Sequence, residues 1–172
     1  MKKVVFKVRK VTSLFLVMIV LTGLTHQVQA AAPVVTLNSW DLVDSGKHLD
    51  WDGSTNYMVM FTAAVNTWNA YKPSVIRKDS WTVIEDVSIE DYTGDNSTIL
   101  TVSSNGKIKF NQMVMDKHTD AQKTSDCLYA LGLALGLGKT YNSSDVMYAF
   151  TSSVTTLSVN DKASYDAAYA KY

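Results

Sequence analysis

Few side chains in this chain could carry chemistry. His26, His48 and His118 are the only histidines, Glu85 and Glu90 the only glutamates, and Cys127 the only cysteine. The densest cluster runs from Asp116 through His118 and Asp120 to Asp126 and Cys127. An imidazole among carboxylates and a thiol is the raw material of a divalent metal site. Such a site needs its donors fixed relative to one another, and no further ligand follows on a helix at i+3 or i+4 to complete a tetrahedral set. Residues 112–125 therefore read as a polar, solvated connection, with His118, Asp120, Asp126 and Cys127 as the alternative ligand set. His48 reads as an ordinary surface histidine. A lone cysteine makes no internal disulfide, and the apolar surroundings of Cys127 predict a buried, inert thiol.

The element that must position any site is the stretch from Asp126 to Phe150. Cys127 to Leu137 is almost wholly apolar, with Leu128, Leu131 and Leu135 at helical spacing and Gly136 and Gly138 at its end. That pattern predicts a buried helix closed by a glycine cap.

Laid against the zinc-protease signature HExxHxxGxxH, YALGLALGLGK (129–139) resembles the metzincin helix at its structural positions, and SDVMY (144–148) resembles the Met-turn of the matrixin-like branch. LSVNDKASYDAAY (157–169) is similar to the opening of that family's last helix. The resemblance implies a metzincin-like α+β domain: a twisted, mostly β-sheet packed on two long helices, plus a C-terminal helix. It places Gly136 and Met147 at structural positions. It puts Tyr129, Leu133 and Lys139 where the three zinc-binding histidines belong in active relatives, and Ala130 where the general-base glutamate belongs. A zinc hydrolase of this kind needs three imidazoles, an open coordination position and a base for the water. The resemblance thus implies a fold without catalytic residues and without zinc.

Two other apparent motifs in this stretch lead nowhere. GLGKT (136–140) resembles the end of a phosphate-binding loop, but Leu133 stands where GxxxxGK[ST] requires glycine. Gly136-x-Gly138 is a fragment of GxGxxG with Tyr141 at the last glycine. Asn96-Ser97-Thr98 and Asn142-Ser143-Ser144 fit the glycosylation sequon, which matters only in a host that glycosylates.

The rest of the chain supplies the frame. Residues 1–30 combine five basic residues, an apolar run from Val11 to Leu24 and a small-residue site around Ala30, the pattern of a secretory signal peptide. Residues 31–172 are then one secreted, extracellular domain, long enough for a single core. Of 16 basic residues in the whole chain, removing those five leaves 11 against 16 acidic ones, a net charge of −5. Such a domain is poorly suited to nucleic acid or anionic membrane.

Tyr57, Phe61, Ala64, Val65 and Trp68 share one face of an amphipathic helix that Pro73 closes. Before it, residues 33–54 suggest an opening strand, with a turn signal at WDGS (51–54). After it come short β-favouring runs at Val75–Arg77, Trp81–Ile84, Val87–Ile89, Thr98–Val102 and Lys107–Phe110, the last two joined by a tight turn at SNG (104–106). In the metzincin layout the strand from Ile108 through Phe110 to Asn111 is expected at the sheet edge, lining the substrate cleft.

Three functional readings follow. One is a secreted, catalytically silent domain that binds a peptide or protein in its retained cleft. Another is a structural or surface-interaction domain with a plugged cleft. The third is a zinc metalloendopeptidase using His118, Asp120, Asp126 or Cys127, or zinc shared between chains. Oligomeric state is not encoded in any of these features.

Overall fold

The computed structural model describes residues 31–80, 84–95 and 97–172. The predicted signal segment 1–30, most of the Trp81–Ile84 run and the sequon asparagine Asn96 lie outside the described residues. Residues 32–172 pack as one compact unit.

Among the described residues, three long helices and a single helical turn carry this unit. The first, α1 (Met58–Tyr71), buries Phe61, Ala64 and Trp68 and leaves Val59 on the opposite face in solvent. It stops at Lys72, whose extended backbone precedes Pro73. After a single turn, α2 (Gln112–Met115), comes α3 (Asp120–Ala134), opened by a capping box in which Thr119 and Gln122 satisfy each other's backbone amides. Its C-terminus is a full Schellman motif: Gly136 has φ 82°, its amide donates to Leu133 O, and the Leu137 amide donates to Gly132 O. The last helix, α4 (Val159–Tyr169), opens on a second capping box between Ser158 and Asp161.

Among the described residues the sheet has five strands: β1 (Leu49–Gly53), β2 (Ile76–Lys78), β3 (Val87–Tyr92), β4 (Leu100–Ser103) and β5 (Lys107–Asn111). Their order is β2-β1-β3-β5-β4; all neighbours are parallel except the β4–β5 hairpin. The hairpin turn depends on Gly106, at φ 79°, whose amide donates to Ser103 O. Leu49, Trp51, Val87, Ile89, Ile108 and Phe110 point into the core, where Trp51 meets Phe61 edge-on at 5.0 Å. The two long helices are tied to each other by Trp68 Nε1, which donates to Leu128 O at 3.1 Å.

The observed architecture is α+β with a mostly parallel sheet, and three expectations are corrected in it. Residues 112–125 are not a solvated connection throughout: Gln112–Met115 form α2, and α3 already begins at Asp120, with Met115 and Ser125 buried. The WDGS turn signal falls mostly on strand: Trp51, Asp52 and Gly53 pair with Val87, Ser88 and Ile89, and only Ser54 lies beyond β1. Gly53 is required there because a Cβ would strike the Ile89 backbone. The strand Ile108–Asn111 is also not the edge. It lies between β3 and β4, and Ile108, Phe110 and Asn111 are fully buried. The edges among the described strands are β2 and β4, and β4 is the one beyond β5. The hairpin sends its more apolar arm inward to pair with β3, and the half-exposed Leu100–Ser103 arm takes the outside.

Candidate functional site

The candidate site is built by the C-terminal half of α3 and the turn at 144–148, which α4 holds in place. On α3, Tyr129 and Leu133 lie one turn apart on one face, both half-buried, while Ala130 between them is fully buried. Gly132 lies directly over the turn: a Cβ there would collide with Met147 Sδ and press on Trp68. Beyond the helix, Lys139 is exposed. Thr140 then runs beside Tyr148, the Thr140 amide donating to Met147 O at 2.7 Å and the Ala149 amide to Thr140 O at 2.9 Å.

Two buried carboxylates hold this turn: Asp145 from within it, and Asp161 from α4. Asp145 accepts from Asn142 Nδ2, Ser158 Oγ and Asn160 Nδ2 at 3.1, 2.8 and 3.2 Å. Asp161 accepts the amides of Val146, Met147 and Ser158 at 3.0, 3.3 and 2.8 Å. The sequence signal for the second was present: Ser158-x-x-Asp161 is a capping-box spacing ahead of an amphipathic run. Its further reach to the turn was not readable, because those amides are some fifteen residues away along the chain.

Between α3, the turn and the free edge β4 lies a cavity of about 260 Å³. Its walls include Ile99 and Leu100 from the edge, Asp126 and Tyr129 from α3, and Tyr148 and Phe150 after the turn. Phe150, 61% exposed, packs on Tyr148 with ring centroids 5.4 Å apart and on Tyr141 at 6.2 Å, forming an aromatic lip. Burial first, and then the nearby Tyr141, push the Tyr129 phenol above its ordinary pKa, so it stays a neutral hydroxyl.

The alternative ligand set is only partly brought together. His118 Nδ1 lies 2.7 Å from Asp126 Oδ2, and both side chains are largely enclosed. Burial raises the Asp126 pKa against the opposing pull of His118. Asp120 is exposed in the first turn of α3, and Cys127 is fully buried, its thiol pushed far up by burial. Among the described residues these four do not converge on one point; the only carboxylate, imidazole or thiol groups that do are Asp44, Asp50 and Asp86. There, Arg77 already grips Asp50 with Nε and Nη2 at 2.8 and 2.6 Å, and Asp86 accepts the Asp50 amide. His48 is half-buried beside Asp44, 3.8 Å from its carboxylate.

The positions that a metzincin zinc would occupy do not fit the ion. Leu133 and Ala130 have no donor atom, Tyr129 keeps its proton, and Lys139 extends into solvent as a cation. Comparison with known proteins finds no family model and no curated protein that matches this chain. Among the described residues, no helix is long and apolar enough to cross a membrane.

Proposed function

We propose that this chain is a secreted, catalytically silent domain of the metzincin type, and that it works by holding an extended peptide or protein segment in the cleft between β4 and the Tyr148–Phe150 lip. One observation carries the reading. Met147 packs under α3 at Gly132, and the turn is clamped by α4, while the positions aligned with the metzincin ligands and base are Tyr129, Leu133, Lys139 and Ala130. A vessel of this shape has kept its walls and lost the groups that would activate water.

Supporting observations are the parallel sheet with one antiparallel edge strand, the left-handed Gly136 that turns the chain after α3, and the α4 cap. The free edge of β4 offers backbone donors and acceptors to an incoming strand, the usual way an extended peptide adds to a sheet. The cleft is open, and that favours binding over the reading in which it is plugged and unused.

The decisive experiment combines metal analysis of the purified protein with a backbone-amide NMR titration using an extended peptide library. The expected result is no stoichiometric zinc, no chelator-sensitive cleavage, and shifts confined to β4, Tyr129 and 146–150. Stoichiometric zinc with matching turnover would overturn the reading, and so would saturable binding confined to another face.

A further inference from the structure

The cavity has one charged wall. Among the described residues no lysine, arginine or histidine lines it, and its single carboxylate is Asp126, whose side chain is 7% exposed. One oxygen of that carboxylate is taken by His118 Nδ1 at 2.7 Å. A carboxylate offers about four acceptor positions over two oxygens, so one ring nitrogen leaves most of its capacity unused. A partly enclosed negative group is costly to bury unless it is paired and hydrogen-bonded.

The remaining walls suit the stem of a long side chain. Ile99, Leu100 and Val146 supply aliphatic surface, while Tyr129, Tyr148 and the exposed Phe150 supply aromatic surface. Ring faces attract cations, and a guanidinium both stacks on them and forks onto carboxylate oxygens. A volume of about 260 Å³ is below that of pockets that take drug-sized ligands, about 300 Å³ and upward, and suits one side chain.

We propose that this cavity is a subsite for one arginine side chain of the bound segment, its stem lying on Ile99 and Leu100, its guanidinium reaching Asp126 between the rings of Tyr129 and Tyr148. The inference rests on the cleft reading and names the chemistry of its ligand. The neighbouring edge β4 gives the backbone of such a segment a place to pair, so the side chain and the main chain are recognised by adjacent surfaces. Tyr129, which lines the cavity, then serves as aromatic surface for the cation and not as a metal ligand.

The test uses small probes that address the subsite alone: Nα-acetyl-arginine methylamide, with its norleucine and glutamate counterparts, titrated into the isotope-labelled protein. The arginine probe is expected to shift the amides of Asp126, Tyr129, Tyr148 and Phe150 with an affinity about tenfold above norleucine, and glutamate to shift none. Asp126→Asn, which keeps a partner for His118, is expected to bring arginine down to the norleucine level. Phe150→Ala, at an exposed position, should weaken it severalfold in a protein whose remaining spectrum is unchanged. Equal shifts by norleucine and arginine would overturn the arginine subsite while leaving a peptide cleft standing. Arginine binding undiminished in Asp126→Asn, or no shift by any probe, would also overturn it. If longer peptides without arginine then still bind along β4, the cleft reading survives the loss; if none bind there, both fail.

Discussion

Asp161, the third residue of α4, accepts the amide of Val146 at 3.0 Å and is itself fully buried. A residue that caps its own helix therefore also fixes the turn beneath α3, adding the Met147 amide at 3.3 Å. Helix, turn and cleft floor are one hydrogen-bonded unit.

Truncating that residue tests the unit. Asp161→Ala strands two buried amides and removes a cap, so it is expected to cost about 3 kcal/mol of unfolding free energy. Urea denaturation measures it; a loss under about 1 kcal/mol would mean the turn is held by other means. Asp161→Asn, which keeps acceptor capacity, should cost clearly less.

Gly132 and Met147 are predicted to be energetically coupled. A methyl at Gly132 runs into Met147 Sδ and Trp68, so Gly132→Ala is expected to destabilise by about 1–3 kcal/mol although alanine favours helix. Adding Met147→Ala, which alone leaves a hole, should make the double variant more stable than the sum of the two losses. Strict additivity would place the two side chains apart. The resemblance singled out Met147 but not Gly132, and periodicity, which picked out Leu128, Leu131 and Leu135, was silent on which helical position the turn touches.

Replacing Tyr129, Leu133 and Lys139 together by histidine tests whether the donor positions converge. The triple variant is expected to take up one zinc ion per chain and to cleave nothing, because Ala130 supplies no base. Adding Ala130→Glu is expected to produce slow, chelator-sensitive peptide cleavage. A folded triple variant that takes up no zinc would refute the placement of the three positions around one point.

The α1–α4 contact carries a pH signature. Asp166 accepts from Lys72 Nζ at 2.6 Å and from Tyr71 Oη at 2.7 Å, and these hold its pKa below the usual carboxylate value, the Lys72 hydrogen bond most of all. A depressed folded pKa means a contribution present above the unfolded value, about 3.9, and lost as pH falls through the folded one. The group is more than half exposed, so solvent screening limits the effect to under about 1 kcal/mol. The stability gap between wild type and Asp166→Asn should be measurable at pH 7 in low salt and close by pH 2. A gap that widens on acidification would contradict the pairing.

The sequence by itself determined some of the local elements and the missing chemistry. Periodicity sufficed for the buried face of α1, with Phe61, Ala64 and Trp68, and for the glycine-capped end of α3 at Gly136, whereas the start of α3 at the Thr119–Gln122 box was missed and α4 was reached only through the resemblance. A count of histidines sufficed to show that a three-imidazole site cannot form within residues 31–172. Tertiary structure alone decided which strand is the edge, that His118 and Asp126 meet while Asp120 and Cys127 stand apart from them, and that Asp161 reaches the turn. The physical reason is range. Capping and periodicity act over three or four residues, whereas strand order and the pairing of buried carboxylates are settled by which distant segments can share one core and satisfy each other's polar groups.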